Sequence, residues 1–446
     1  MREVLALAGL LVFGSAVSAA APTGSAPSFA AAKSYTTGYG PESIAIGDLN
    51  GDGKPDLATA NVDDGTVSVL LNSGDGSFEA KRDIAAGYAP TGVAIGDLSG
   101  DSRPDLAIAN NFDNTVSVLL NSGNGHFLAK QDYGTGRHPY SVAIGDFNGD
   151  GEPDLVTANS ISNKVSVLMN LGSGTFGANV NYRTGREPYS VAIGDLNGDG
   201  KLDLVAANAG PDEDPGKTVS VLLNRGDGTF RAKRDYRTGY GPGSVAIGDL
   251  NGDGKPDLAT ADAGAHAVSV LTNTGGGSFR TRRDYWRGGH VPTSIAIGDL
   301  NGDGRLDITT GNEGMHTLSA MVNGGHSSFR DRIDYLSGPS APVSVAIGDL
   351  NGDGKPDLVT ANRLAASLSV LINTRALCNV QFVKGKTVRV TERRLLRAHC
   401  GVGRVRRAYS KEVKQGRVIS QEPGLGAVLP GGGKVNLVVS RGRRPS

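Results

Sequence analysis

A nine-residue run rich in Asp, Asn and Gly recurs seven times in the chain, first as DLNGDGKPD at residues 48–56. Asp occupies positions one, five and nine of every copy, and Asn occupies position three of every copy except the second, which has Ser99. Clustered carboxylate and amide oxygens are hard ligands that suit Ca²⁺, whereas Mg²⁺ demands stricter octahedral geometry and keeps its waters. The spacing therefore predicts a calcium loop in each copy, with up to seven bound ions.

The predicted ligands of each loop are the side chains at positions one, three, five and nine, together with the backbone carbonyl at position seven. Copy by copy, they are Asp48, Asn50, Asp52, Lys54 and Asp56; Asp97, Ser99, Asp101, Arg103 and Asp105; Asp146, Asn148, Asp150, Glu152 and Asp154; Asp195, Asn197, Asp199, Lys201 and Asp203; Asp249, Asn251, Asp253, Lys255 and Asp257; Asp299, Asn301, Asp303, Arg305 and Asp307; Asp349, Asn351, Asp353, Lys355 and Asp357. Position twelve is never the Glu that an EF-hand loop requires. Ordinary turns are also rich in these residues, but the repetition of all three Asp favours metal binding. We expect the second copy, with Ser99 and Ser102, to bind most weakly.

Short alternating strands are predicted to hold these loops. The copies begin at intervals of 49, 49, 49, 54, 50 and 50 residues, a period typical of propellers. Each unit contains four candidate strands, in the first unit SIAIGD, DLATAN, TVSVLLN and FEAKRDI. Apolar residues alternate within these runs, and Gly, Asn and Asp separate them, which is the signature of strands. The fold class predicted is all-β, a seven-bladed β-propeller.

The ends of the repeat array predict how the ring closes. The seventh unit ends with LSVLINT at residues 368–374 and has no fourth strand, whereas FAAAKSY at residues 29–35 precedes the first unit. We expect the N-terminal segment to supply the outer strand of the last blade, because a closed ring leaves no sheet edge unpaired at its ends.

The N-terminus predicts export. An apolar run from Val4 to Val17, followed by small residues, has the pattern of a signal peptide over residues 1–20, with a linker at 21–28. A membrane anchor is the alternative, but the run is shorter than the roughly 20 residues of a span. We expect a secreted, extracellular protein. Cys378 and Cys400 would then pair in a disulfide.

The seven units resemble FG-GAP/VCBS-type repeats, the blades of the integrin α-subunit propeller, over residues 29–374. The resemblance implies that the calcium loops lie on one rim and that a glycan or protein binds the opposite face. Blade-to-blade loops would form that face, and their aromatic and Arg side chains are suitable anchors. Sealing of the blade interfaces is the competing interpretation. The candidate residues are Tyr39, Tyr88, Arg137, His138, Tyr140, Arg186, Tyr189, Tyr240, Arg287 and His290.

The C-terminal region differs in charge from the rest of the chain. Residues 375–446 hold 17 Lys and Arg against 3 Glu, a net charge of +14. Its GRVISQEP and VNLVVSRG runs resemble a PASTA domain. We therefore expect a small α+β domain at residues 375–442, with a basic tail at 443–446. The resemblance implies binding to peptidoglycan or a related wall polymer, and the charge independently favours an anionic partner. A solvated spacer is the alternative. Cys378 and Cys400 depart from the PASTA pattern and fit a variant stapled by a disulfide.

No catalytic motif is visible in the sequence, since H-E-x-x-H, G-x-S-x-G and a Walker loop are all missing. Export also argues against nucleic acid as the partner of the basic region. We therefore predict a monomeric, non-enzymatic, calcium-binding propeller that is associated with the cell wall or surface through its PASTA-like domain. Two alternatives stay open: an extracellular hydrolase that uses the propeller as a scaffold, and a glycan-binding lectin.

Overall fold

A computed structural model describes residues 26–211, 213–285, 291–338, 340–374, 378–398, 400–429 and 434–444. The predicted signal peptide at 1–20, residues 21–25 of the linker and the last two residues of the basic tail lie outside the described residues. Contacts between Cα atoms divide the chain into two compact units, a larger one of Phe29–Leu300 and Arg305–Asn373 and a smaller one that includes Thr374–Ser446. In the described part of the chain, no helix is long and apolar enough to cross a membrane.

The described residues of the larger unit form seven four-stranded antiparallel sheets, which we call blades one to seven in the order of their calcium loops. The first strands are Pro41–Gly47, Pro90–Gly96, Pro139–Gly145, Pro188–Gly194, Pro242–Gly248, Pro292–Gly298 and Pro342–Gly348. The second strands are Asp56–Asn61, Asp105–Asn110, Asp154–Asn159, Asp203–Asn208, Asp257–Asp262, Asp307–Asn312 and Asp357–Asn362. The third strands are Thr66–Leu70, Thr115–Leu119, Lys164–Leu168, Thr218–Leu222, Ala267–Leu271, Thr317–Asn323 and Ser367–Leu371. The fourth strands are Arg82–Ala85, Gln131–Gly134, Val180–Arg183, Arg234–Arg237, Arg283–Tyr285, Phe329–Leu336 and, in blade seven, Lys33–Thr36.

The fourth strands of blades one to five begin later than the sequence predicts. In blade one, Phe78 forms an isolated bridge with Asn72, and the strand itself starts at Arg82. Gly74 and Gly76 between them have φ values of 99° and 77°, so a tight hairpin closes before the chain rejoins the sheet. Two of these hairpins contain short strand pairs, and three blades have a short 3₁₀ turn after the second strand. These elements are Asn121–Gly123 with His126–Phe127, Asn273–Gly275 with Ser278–Phe279, and the turns Ala263–Ala265, Glu313–Met315 and Arg363–Ala365.

The N-terminal segment closes blade seven, as predicted. Lys33–Thr36 pairs antiparallel with Ser367–Leu371, in the register Lys33 to Val370 and Thr36 to Ser367. Before this strand, Phe29 bridges to Asn373, and its ring meets the Tyr335 ring edge-on at 5.0 Å. The first and last segments of the larger unit therefore share one sheet.

Apolar clusters fill every interface between neighbouring blades. Between blades seven and one, Ile44 packs with Val343 and Val359, and equivalent clusters occupy the other six interfaces. Hydrogen bonds also join the first strands of neighbouring blades. The Ile44 backbone N–H donates to Ser344 Oγ at 3.3 Å, and the Val93 N–H donates to Ser43 Oγ at 3.3 Å. Blade one therefore meets blade seven in the same way that it meets blade two.

The smaller unit combines one helix with two small sheets. Its helix spans Val388–Arg397. Strands Gly401–Ala408, Lys434–Ser440 and Val418–Glu422 form a three-stranded sheet in that order, and Cys378–Asn379 pairs with Val428–Leu429. Val383, Leu395 and Val435 are fully or almost fully buried in its core. The strand Gly401–Ala408 was not predicted, because its Gly and Arg residues break the apolar alternation.

Candidate metal centres and the opposite face

The first Asp of each candidate calcium loop organises the backbone of that loop. In blade one, Asp48 Oδ1 accepts hydrogen bonds from the N–H groups of Gly51 at 2.7 Å and Asp52 at 3.1 Å, while Oδ2 accepts one from Gly53 at 2.7 Å. The same three bonds form in blades two, four and five. Gly51 and Gly53 have φ values of 79° and 81°, which glycine adopts without steric cost. The loop therefore wraps around the carboxylate of its first residue.

The side chains at positions three and five also accept hydrogen bonds from backbone N–H groups of the loop. Asn50 Oδ1 accepts the Asp52 N–H at 2.9 Å, and Asp52 Oδ1 accepts the Lys54 N–H at 3.0 Å. The Lys54 ammonium also lies 3.0 Å from Asp52 Oδ2. Equivalent ion pairs join positions seven and five in blades two, five and seven. Because these pairs are partly exposed, each contributes at most about 1 kcal/mol, so a divalent cation can compete with the Lys or Arg for the carboxylate.

The ninth-position Asp is fully buried in all seven loops. In blade one, Asp56 Oδ2 accepts the Leu49 N–H at 2.8 Å and Oδ1 accepts the Asn72 N–H at 2.7 Å, and both bonds recur in the other six blades. Burial, helped by the Asp charges at positions one and five, raises the pKa of this carboxyl to about 6 in blades three, four, five and seven. The three carboxylates of a loop therefore repel one another, and a cation between them would relieve that repulsion.

The donor set of each loop fits calcium in chemistry, and water would complete the coordination number. Carboxylate, amide and carbonyl oxygens are the ligands that Ca²⁺ takes, in flexible sets of six to eight. Among the described residues, however, no group of three His, Cys, Asp or Glu side chains converges closely enough to hold a metal ion. The reason is that the carboxylates at positions one and nine point at backbone N–H groups. In blade one, Asp48 Oδ2 and both Asp56 carboxylate oxygens accept one bond each and keep a second lone pair, so coordination requires rotation of side chains rather than refolding of the loop. Calcium binding stays a prediction.

A repeated Asn in the hairpin between strands three and four was not predicted as a functional residue. Asn72 Nδ2 donates to the Pro55 carbonyl and to the Leu350 carbonyl of the preceding blade, both at 2.8 Å. The same pair of bonds occurs in the other six blades. One Asn per blade therefore links its own loop to the neighbouring loop. The sequence signal was present as an invariant Asn after each third-strand pattern, as in TVSVLLN.

Comparison with known families identifies the repeats. The FG-GAP-like repeat matches residues 48–108, 99–157, 146–206, 205–260, 249–310 and 300–360. The chain belongs to the FG-GAP-like repeat family. A PASTA domain matches residues 379–441. No match was found among the curated proteins.

Solved structures with a similar fold are distant in sequence. BBS1N in complex with ARL6DN is 13% identical with a TM-score of 0.54, and the match covers 78% of this chain and 97% of that one. A catalytically inactive virginiamycin B lyase from Staphylococcus aureus, solved with quinupristin, is 14% identical with a TM-score of 0.53, and the match covers 77% of this chain and 99% of that one. Identities this low concern the fold alone. The predicted β-propeller is confirmed.

The two matched families indicate where such a protein acts. FG-GAP-like repeats joined to a PASTA domain are typical of a repeat protein associated with the cell surface or cell wall. PASTA domains typically bind peptidoglycan-related ligands, so the partner indicated at this level is a cell-wall polymer.

The second candidate calcium loop differs from the others in conformation as well as in sequence. Ser102 has a φ of 65° at a position where the other six loops have Gly, and a side chain in this region adds strain. The buried Ser99 Oγ has no hydrogen-bond partner. Both features agree in direction with the expectation of weakest binding at this loop, which stays a prediction.

The candidate binding residues opposite the loops fall into different environments. Tyr39, Tyr88 and Tyr240 are exposed. Tyr189 is buried, and its ring lies 4.6 Å from that of Tyr140, so this pair seals the interface of blades three and four. Arg137 is exposed and His138 is partly exposed, and Arg186 forms an ion pair with Asp214 at 2.5 Å. Arg287 and His290 lie outside the described residues.

An exposed aromatic group on this face includes a residue that sequence reasoning missed. Phe112, 52% exposed, lies in the turn after the second strand of blade two, with ring centroids 5.2 Å from Tyr88 and 5.4 Å from His138. Tyr88 is 66% exposed. Phe112 stood out in the sequence as the one aromatic in these turns. The three rings form an open platform that spans blades two and three.

Of the two cysteines in the predicted disulfide, only Cys400 has a described side chain. Cys400 is buried in the core of the PASTA domain. The side chain of Cys378 lies outside the described residues. The pairing of Cys378 with Cys400 stays a prediction.

Proposed function

We propose that the protein is an exported, non-enzymatic, calcium-binding β-propeller that is held at the cell wall by its PASTA domain. The observation that carries the proposal is the combination of two features in one chain. Seven blades repeat the same oxygen-rich loop, and a basic PASTA domain follows them.

In this proposal each calcium ion neutralises the three carboxylates of one loop and holds the loop in its folded form. The hairpin Asn of each blade bonds to its own loop and to the loop of the preceding blade, so stiffening one loop also stiffens the contact between two blades. The ions therefore act on the stability of the ring, and the opposite face is free to bind a glycan or a protein.

A glycan is the more specific candidate for that face. Tyr88 and Phe112 of the aromatic platform are exposed, and aromatic rings pack well against the apolar faces of sugar rings. This observation favours a lectin-like activity as a second function, which binding to a panel of glycans by wild-type and Phe112→Ser proteins would test.

The decisive experiment for the main proposal is a pull-down on purified bacterial cell wall with the full chain and with a chain that lacks residues 375–446. We expect the full chain to sediment with the wall in calcium buffer and the shortened chain to stay in the supernatant. Thermal melting of both proteins controls for folding of the propeller. Equal sedimentation of both proteins, or of neither, would contradict wall attachment through the PASTA domain.

A further inference from the structure

The strand Gly401–Ala408 presents concentrated positive charge at a sheet edge. It is an outer strand of the three-stranded sheet of the PASTA domain, next to Lys434–Ser440. Its last five residues, RVRRA, are all exposed and include Arg404, Arg406 and Arg407. An edge strand also leaves a row of backbone N–H and C=O groups unpaired. Guanidinium groups and peptide donors are therefore available along one edge of the sheet.

No carboxylate of the described domain neutralises this charge. Among the described side chains of residues 380–395, 398, 400–427 and 434–444, no Lys or Arg forms an ion pair. The turn after the strand adds exposed Lys411 and Lys414 against a single Glu412. Uncompensated charges of one sign attract and concentrate counter-ions, and Arg in particular matches the geometry of phosphate oxygens with its two-pronged donors.

We propose that this strand and the turn that follows it bind a linear polymer of phosphodiester-linked units. The inference rests on the proposed function and specifies the charged component of the wall that the PASTA domain contacts. An aliphatic phosphodiester chain fits better than a nucleic acid, because single-stranded nucleic acids need open aromatic faces for their bases. Tyr409, which follows the strand, has the Arg441 guanidinium over its ring at 5.8 Å from the ring centroid.

The test compares two triple variants of the full chain that lose the same charge. Arg404→Gln, Arg406→Gln and Arg407→Gln alter the edge strand, while Lys384→Gln, Arg389→Gln and Arg393→Gln alter exposed residues elsewhere in the domain. Binding is measured to poly(glycerol phosphate), to phosphate-free peptidoglycan and to single-stranded DNA over a range of salt. We expect the edge variant to lose at least about tenfold in affinity for poly(glycerol phosphate), with a salt slope shallower by about two. The control variant should lose much less.

Each remaining outcome has a definite meaning. Equal losses in the two variants, or tighter binding of DNA than of poly(glycerol phosphate), would overturn the inference. Binding to peptidoglycan without binding to poly(glycerol phosphate) would overturn it while leaving the proposed wall attachment intact. Binding to neither wall component would remove the proposed function as well.

An independent observation concerns a proton buried in blade five. In six blades, an Asn at the end of the second strand donates to a Ser of the third strand at 2.7–3.0 Å. In blade one this is Asn61 to Ser68, and Ser68 then donates to Asp83 at 2.6 Å. Blade five has Asp262 in place of the Asn. An ionised carboxylate cannot donate a hydrogen bond. The Asn-to-Ser-to-Asp series of hydrogen bonds in the other blades therefore cannot form in the same way in blade five.

The contacts of Ser269 require one more hydrogen than an ionised Asp262 supplies. Ser269 Oγ lies 2.5 Å from Asp262 Oδ2 and 3.0 Å from Asp284 Oδ1, and it accepts the Gly239 N–H at 3.0 Å. A hydroxyl has one hydrogen to donate, so it cannot serve two carboxylates. Asp284 receives the Arg282 Nε–H at 2.6 Å, which favours its ionised form. If Asp262 carries a proton and donates it to Ser269, Ser269 can donate its own hydrogen to Asp284. The hydrogen bonds then run in the same direction as in the other blades.

We infer that Asp262 keeps its proton in the folded protein below neutral pH and that loss of this proton weakens blade five. Asp262 is fully buried. Burial, helped by the neighbouring Asp284 charge, raises its pKa to about 7. On the fourth strand, the charged group near Asp262 is Asp284, which is paired with Arg282. Along the chain, the nearest titratable group is His266. Its other hydrogen-bond partners, Thr260 Oγ1 and the Gly239 N–H, are uncharged.

The sign of the pH effect follows from the raised pKa. The unfolded value is roughly 3.9, so the folded state binds more protons between about pH 4 and pH 7, and stability falls across that window as pH rises. The test is Asp262→Asn, which restores the residue of the other blades, with melting temperatures measured from pH 4.5 to 8.5 in excess calcium. We expect the Tm advantage of the variant over wild type to grow by several degrees up to about pH 7 and then to level off.

A reciprocal variant makes the result decisive. Asn61→Asp places the same carboxyl into blade one, and its Tm deficit should grow over the same pH range. Tm curves for Asp262→Asn that run parallel to wild type at every pH would overturn the inference.

Discussion

Two Asn residues of the same repeat have different roles at the level of single residues. Asn72 is 3% exposed and donates to two buried carbonyls, whereas Asn50 is partly exposed in the candidate calcium loop. Asn72→Ala should lower the free energy of unfolding by about 3 kcal/mol, because each buried group left without a partner costs about 1–3 kcal/mol. Chemical denaturation with and without calcium measures the loss, which should be similar in both conditions.

Asn50→Ala is the matched control for that substitution. It removes a predicted calcium ligand and one exposed hydrogen bond, so we expect it to lower stability in calcium and to change little in chelator. A calcium-dependent loss for Asn72→Ala would mean that the hairpin Asn acts through the metal rather than through the carbonyls it bonds.

At the level of elements, repetition made most of the fold predictable. Seven nearly identical units defined the first three strands of each blade and the missing fourth strand of blade seven, because turn residues and alternation recurred at fixed offsets. Bonds that depend on tertiary contact were not predictable. The link from Asn72 to Leu350 joins residues 278 positions apart, and the late start at Arg82 depends on how the Gly-rich hairpin closes. The strand Gly401–Ala408 has too little alternation to be recognised from sequence.

The closing strand offers a test at this scale. Removal of residues 29–38 would leave Ser367–Leu371 as an open edge and would expose the apolar cluster that contains Phe29 and Ala32. We expect a strongly lowered melting temperature and concentration-dependent aggregation, because exposed strand edges pair with other chains. Differential scanning calorimetry and light scattering report both effects.

A chain that lacks only residues 21–25 is the control for this deletion, since it keeps the described contacts of Ser28 and Phe29. Wild-type melting of the longer deletion would show that blade seven is stable with three strands and that the ring needs no closure.

At the level of the whole molecule, charge separates the two parts of the chain. Residues 1–374 hold 28 Lys and Arg against 42 Asp and Glu, a net charge of −14, and the remainder carries +14. Seven divalent cations in the seven loops would neutralise the acidic part. Without them, each loop keeps three carboxylates close together, and the repulsion within loops adds to that across the ring.

Chelation of calcium should therefore destabilise the propeller as a unit. Each site at 100 times its Kd adds about 2.7 kcal/mol, so several occupied sites together should raise the melting temperature by ten degrees or more relative to protein in excess EDTA. Magnesium should restore little of this, because the loops offer a flexible set of oxygens rather than strict octahedral geometry. Adding 1 M NaCl to the EDTA sample separates the two causes. At this salt concentration the Debye length is about 3 Å, so repulsion between charges that are farther apart is screened, but Na⁺ does not replace calcium as a ligand-bound ion in the carboxylate cluster. Full recovery in NaCl alone would reduce the loops to ordinary acidic turns, whereas recovery only in calcium would identify them as specific metal sites.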